Sequence, residues 1–176
     1  MFQLLVNDST ESQIAKLFCA AKEISCEIYE KDEICNIPEI EIESAQINFP
    51  MWKEHEGVFF DSLYPMLVYL NDRFPCPELM PNKLKGCLRW KHLINSAVYK
   101  LLHNKDEWKT FFDVEKAKIL SPNNITMLDI VLIPILEKKE KLPKHLTDYV
   151  KAIQKKNIYK FSKGELPNDF TKRFEL

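Results

Sequence analysis

Three prolines, Pro75, Pro77 and Pro81, fall within seven residues near the middle of the chain. Each fixes φ, removes a backbone donor and pushes the preceding residue toward extended conformations, so neither a helix nor a central strand can run through this segment. The 176 residues therefore divide around a stretch that runs extended or turned. The charge changes sign at the same place. Residues 1–82 hold five Lys/Arg against fifteen Asp/Glu, whereas residues 83–176 hold twenty against eleven. The net charge of −1 conceals an acidic N-terminal part and a basic C-terminal part. Such a dipole can orient a charged partner on approach, and a solvated surface can carry the same asymmetry without one.

In the acidic part, the apolar run Phe2–Val6 ends at Asn7-Asp8-Ser9-Thr10 and reads as a buried strand followed by a turn. Ile14, Leu17, Phe18 and Ala21 then recur at helical spacing, with Ser9 or Ser12 as the cap. Residues 25–29 have the character of a second strand, which makes a β-α-β unit with parallel neighbours. Residues 39–43 read as an acidic surface connection. Residues 47–52, interrupted by Pro50, and residues 58–60, after Gly57, form a predicted hairpin. A helix over 63–70 follows, with Pro65 restricting its first turn. The order β-α-β-β-β-α is that of a mixed sheet with helices packed on it.

Beyond the prolines only helical patterns appear. Leu88, Leu93, Ala97, Val98, Leu101 and Leu102 define a long amphipathic helix, broadened by Trp90 and Ile94, and Trp108, Phe111, Phe112 and Val114 a shorter one. Thr126 and Asp129 read as a capping box with Asp in the place usual for Glu, and Ile125 as a staple toward Ile130. The helix they open is apolar almost all round, central to its layer, and bent at Pro134. Leu146, Tyr149, Val150 and Ile153 mark a further helix starting near Pro143. Ile158, Tyr159 and Phe161 pack back, and 164–176 is a predicted tail.

Five cysteines at no repeated spacing, with no C-x-x-C pair, read as thiols in a reducing compartment, several of them buried. His55, His92, His103 and His145 lack metal-ligand spacing, so no metal site is predicted. The N-terminus carries no signal-peptide pattern and no apolar run reaches eighteen residues, which predicts a cytoplasmic protein without a membrane partner. The lysines of the basic part are spread over several segments, so direct specific nucleic-acid binding is not predicted.

The run Tyr69-Leu70-Asn71-Asp72-Arg73-Phe74-Pro75-Cys76-Pro77-Glu78-Leu79-Met80-Pro81, placed directly after a hairpin containing Phe49-Pro50, resembles the glutathione transferase superfamily. Within it the run looks most like the RNA polymerase-associated stringent starvation protein A branch. Thr126, Asp129, Ile133-Pro134-Ile135-Leu136 and Tyr149 resemble that superfamily's C-terminal helical core. The resemblance implies a thioredoxin-like α/β domain over residues 1–76 and an all-α domain over 77–163. Only about 24 residues separate Leu102 from Thr126, so the helical domain is expected to be reduced.

The same resemblance implies a cis peptide at Phe49-Pro50 and a glutathione site, vestigial or active, at Ser9, Phe49, Pro50, Asp61 and Ser62. Counting back from Tyr69-Leu70 shifts the last pair to Ser62-Leu63, which leaves its register open. Thiol activation needs a donor beside the sulfur. The available groups are Asn7, Ser9, Thr10 and Ser12; Ser9 could serve, and Ser9 or Ser12 as a helix cap has a competing structural role. Cys19, inside the first helix, reads as inert core. No catalytic residue and no cofactor are assigned.

From composition alone, residues 74–81 are as readily a linker as a binding surface. The branch resemblance moves the reading toward a non-catalytic regulator that contacts RNA polymerase holoenzyme or other transcription proteins through Arg73, Phe74, Pro75, Cys76, Pro77 and Lys83. The branch usually carries histidine where this chain has Cys76 and a tyrosine where it has Lys83-Leu84. Homodimerisation, or pairing with a related protein, is part of that expectation. The alternative is a glutathione-binding transferase or thiol-related enzyme.

Overall fold

The computed structural model describes residues 2–36, 48–54, 57–80 and 125–164, together with 88, 91, 92, 94 and 95. Four strands form one sheet in the order β2-β1-β3-β4, with β1 at Phe2–Val6, β2 at Glu27–Glu30, β3 at Met51–Glu54 and β4 at Phe59–Phe60. β1 pairs in parallel with β2 and antiparallel with β3, and β3 pairs antiparallel with β4. Helix α1 (Thr10–Ala21) makes the parallel crossover and α2 (Leu63–Arg73) follows the hairpin. This is the thioredoxin-like arrangement expected of the first half. The helical half contributes α3 (Met127–Glu137), α4 (Lys144–Gln154) and α5 (Asn157–Ser162).

The expected elements shift for local reasons. β3 begins after Pro50 rather than at residue 47, because a proline has no N–H for the ladder. Helix α2 continues past Leu70 to Arg73 and stops at Phe74, whose extended backbone (φ −116°, ψ 83°) is the one favoured before Pro75. A 3-10 helix at Lys31–Asn36 follows β2, and α5 gives regular form to residues expected only to pack back. Residues 88, 91, 92, 94 and 95 are helical and Ile94 is buried, in line with the long helix. The rest of that helix, the second one near Trp108, Lys83 and the tail beyond 164 lie outside the described residues. No described helix is long and apolar enough to cross a membrane.

Side-chain alternation along β1 sorts the core. Leu4 and Val6 join Trp52, Ile14, Phe18, Met66 and Leu70 in a cluster that continues without a break into Met127, Ile130, Ile133, Val150 and Tyr159. Leu5 turns to the other face, where it meets Met51, Tyr29 and Phe49. Each large apolar side chain withdrawn from water contributes about 1.5–3 kcal/mol, so the two halves are held by one continuous burial. Ile125 packs against the cluster that contains Ile130, consistent with a staple.

Helix α1 ends in a Schellman turn. Ile24 N donates to Cys19 O (2.9 Å) and Glu23 N to Ala20 O (3.2 Å), and Glu23 adopts φ +57°. A residue with a Cβ is disfavoured there. Glu23→Gly is expected to raise stability by about 1 kcal/mol, read as a higher urea midpoint at unchanged slope; an unmoved midpoint counts against a strained turn.

The cap of α3 reaches further than a usual capping box. Asp129 Oδ2 accepts from Thr126 N (2.7 Å) and Thr126 Oγ1 (2.6 Å), Asp129 N donates to Thr126 Oγ1 (3.4 Å), and Asp129 Oδ1 accepts from the Tyr149 hydroxyl on α4. Asp129 is fully buried, and that burial holds its carboxyl above the ordinary value although the hydrogen bonds from Thr126 and Tyr149 act the other way. Three donors converge on two oxygens, so an amide in this place sets its NH2 against a donor. Asp129→Asn should cost about 2–3 kcal/mol in chemical denaturation, and a near-neutral result would show that the carboxylate is replaceable.

Candidate functional site

The residues singled out for a glutathione site come from three elements. Ser9 is the N-cap of α1, and its hydroxyl accepts from Ser12 N (3.1 Å). The same hydroxyl donates to Ser12 Oγ (3.1 Å), which in turn donates to Asn7 Oδ1 (2.8 Å) and accepts from Asn7 N (3.1 Å). Asn7 Oδ1 also accepts from Ser9 N (3.0 Å). The proton of Ser9 is therefore directed at Ser12, and the capping role prevails over that of a donor to sulfur. Asn7, one of the groups available at this helix start, instead closes the turn before the cap, a role its place there signals.

The peptide Phe49-Pro50 is cis, as expected. Pro50 is buried and Phe49 lies against the Leu5–Met51 pair on the outer sheet face. Asn48, one residue earlier, donates through Nδ2 to Asp61 Oδ2 (3.4 Å), tying the cis-proline loop to the start of α2. Ser62 is the N-cap of α2 in extended conformation (φ −139°, ψ 129°), and its side chain makes no cap hydrogen bond. Asp61 and Ser62 are exposed, whereas Leu63 is core. Asp61-Ser62 is thus a surface pair, whereas Ser62-Leu63 has one member in the core. Pro65 has no N–H, so Leu63 and Tyr64 supply the first-turn backbone donors beside the Ser62 hydroxyl. An exposed helix start with an unengaged hydroxyl suits a carboxylate.

The residues assigned to partner binding separate into two groups. Arg73 sets its Nε 3.5 Å from Glu54 Oε1 and its guanidinium 5.9 Å from the centre of the Phe2 ring. Phe74 meets Phe2 edge-on at 5.5 Å, and Phe2 stacks on Trp52 at 5.4 Å. Both residues make contacts within the fold, and Arg73 also stays exposed. Glu54, 5% exposed, also accepts from Trp52 Nε1 (3.1 Å) and the Tyr69 hydroxyl (3.1 Å). Pro75 and Cys76 are exposed and Pro77 half-buried. The peptide Cys76-Pro77 is cis as well, which sequence reasoning did not anticipate.

Lys22 organises this segment. Its Nζ donates to Pro77 O (2.9 Å) and Pro75 O (3.4 Å), and the residue is 3% exposed. Desolvation lowers its pKa, opposed by the charges of Cys76, Asp72 and Glu78. Nothing in the sequence distinguishes this lysine from a surface one. A short distance on, Met127 N donates to Leu79 O (2.9 Å), so the start of α3 is joined to the same segment.

A cavity of about 530 Å³ lies elsewhere, at the C-terminal end of α1, and is lined by none of these residues. We place the candidate ligand surface at Pro50, Asp61 and Ser62, where the exposed Ser62 hydroxyl makes no cap hydrogen bond and Asp61 ties the cis-proline loop to the start of α2.

No protein-family model matches the chain, and no curated protein matches it by sequence. Solved structures do match over nearly the whole length. A diazinon-metabolizing glutathione S-transferase of the silkworm Bombyx mori is 15% identical with a TM-score of 0.70, covering 94% of this chain and 97% of that one. A bacterial zeta-class glutathione S-transferase, maleyl pyruvate isomerase, is 14% identical with a TM-score of 0.68 over 94% and 99%. Maleylacetoacetate isomerase from Anaeromyxobacter dehalogenans is 16% identical with a TM-score of 0.66 over 96% and 97%. At these identities the likeness carries architecture, and this chain has the glutathione transferase fold.

Proposed function

We propose that the protein binds glutathione, or a peptide of the same γ-glutamyl-cysteinyl chemistry, as a transferase-type protein of this fold. The observation that carries the reading is the exposed start of α2, where the Ser62 hydroxyl is not engaged in capping and Asn48–Asp61 fastens the cis-proline loop alongside. An α-amino acid end suits this place: Asp61 matches its ammonium, and Ser62 with the first N–H groups of α2 matches its carboxylate. The peptide then extends along the cis-proline loop toward the N-terminus of α1. There its thiol meets a helix start whose partial positive charge favours a thiolate. Ser9 adds no donor, because its proton is held by Ser12.

A second reading retains residues 75–77 as a protein-docking surface, including the polymerase contact that the branch resemblance implies. It is supported by the Lys22 clamp, which presents Pro75 and Cys76 outward on a fixed backbone. The matched structures named above are glutathione enzymes rather than transcription proteins, and the first reading follows them.

Titration calorimetry of the full chain with reduced glutathione tests the first reading. Binding in the millimolar range or tighter is expected, weakened roughly tenfold in Ser62→Ala through loss of a hydrogen bond to a charged group. Absence of binding, or a Ser62→Ala variant that binds as the parent does, overturns it. Ser9→Ala separates cap from catalyst. Its unfolding free energy should fall by about 1 kcal/mol with glutathione affinity unchanged, whereas a selective loss of affinity would return Ser9 to the ligand site.

A further inference from the structure

The cavity at the far end of α1 is walled by α1, the turn into β2, β2 itself and α5, with Cys19, Ala20, Ile24, Cys26, Ile28 and Phe161 among its lining residues. It brings two thiols together. Cys19 lies in the last turn of α1 and is 3% exposed, and Cys26 stands just before β2 and is half-buried. The Schellman turn at Glu23 folds the chain back so that Cys19 and Cys26 line the same cavity wall. The neighbouring Cys26 side chain and burial push the Cys19 thiol well up. Lys16, also on the wall, is paired with Glu30 at 3.3 Å, so its charge is already matched.

We infer that Cys19 and Cys26 form a peroxide-responsive dithiol site, in which a small hydroperoxide entering the cavity converts the pair to a disulfide. Cys26 is the attacking group because it is the more accessible sulfur. Its thiolate bonds to one peroxide oxygen, the O–O bond breaks, and the second oxygen leaves as water or alcohol after taking a proton. The sulfur is then a sulfenic acid. Cys19 attacks that sulfur, the S–O bond breaks, and hydroxide departs with the Cys19 proton as water. Two thiols thus lose two electrons and two protons, and one hydroperoxide is reduced. The buried environment that disfavours a Cys19 thiolate does not penalise the uncharged product. A dithiol reductant reverses the change by exchange. This site is separate from the proposed glutathione surface and does not depend on it.

The test is peptide mapping of the full chain after a few equivalents of hydrogen peroxide, with thiols blocked by N-ethylmaleimide before unfolding and digestion. Trypsin cleaves after Lys16, Lys22 and Lys31, which places the two cysteines in peptides 17–22 and 23–31. These peptides are expected to appear joined, the intact mass falling by about 2 Da, with reversal by dithiothreitol. Cys26→Ser should abolish the joined species, and Cys19→Ala should leave a sulfenic acid on Cys26 that dimedone traps. The parent protein and the half-buried Cys26→Ser variant decide the question even where Cys19→Ala fails to fold. Recovery of both peptides unjoined while exposed Cys76 is oxidised overturns the inference, as does joining of either cysteine to Cys76 in place of its neighbour.

Discussion

Helix α1 is enclosed on both sides, and most of the structure follows from that constraint. One side meets the sheet core and the other packs against α3 and α5, leaving eight of its twelve residues buried. A helix in that position cannot rely on water for the N–H groups at its start or the carbonyls at its end. The start is closed by the hydrogen-bond net of Asn7, Ser9 and Ser12, and the end by the Schellman turn at Lys22 and Glu23. Groups that suggest chemistry when seen in isolation are therefore consumed by the fold. Ser9 is the clearest case, since its hydroxyl accepts from Ser12 N and donates its proton to Ser12 Oγ within the first turn.

The same enclosure explains why the proline segment is no loose hinge. Lys22 emerges at the buried end of α1 and has no route to bulk water, so its ammonium needs acceptors from the protein. A proline-rich segment supplies carbonyls that no regular ladder has claimed. The carbonyls of Pro75 and Pro77 take that role, and Leu79 passes the connection on to Met127 at the start of α3. Rigidity at 74–79 thus comes from a buried cation as well as from fixed φ angles. The acidic character of the first half adds Asp72 and Glu78 near the same ammonium.

What could be read from the sequence was whatever repeats along the chain or sits at a local stop. Apolar spacing located α1, α2, α3 and α4, and the Thr126–Asp129 interval located a real cap. Pairings across elements left no such trace. Glu54 collects Trp52, Tyr69 and Arg73, which in sequence are a strand neighbour and two members of a helix that follows a turn. The residues that made the run at 69–74 distinctive are thus the residues that fix α2 to the sheet. A motif shared for the sake of folding carries little information about partners, and this is why the resemblance identified architecture more firmly than function. The pairing of Cys19 with Cys26 was hidden for a related reason. One was visible as a helix residue and the other as a strand flank, and only the left-handed turn at Glu23 brings them to one wall.

The two ends of α1 consequently face different chemistry. Ser9 and Cys19 are ten residues apart, about 15 Å along the axis at 1.5 Å per residue. The intervening turns set Ile14, Leu17 and Phe18 in the core, while Gln13 and Lys16 on another face make polar contacts with Ser162 and Glu30. The cavity wall shares no residue with Asn48, Asp61 and Ser62 at the start of α2. Helix α1 thus holds the Asn7–Ser9–Ser12 net at one end and sets Cys19 on the cavity wall beside Cys26 at the other, and both ends are fixed by the core that spans both halves.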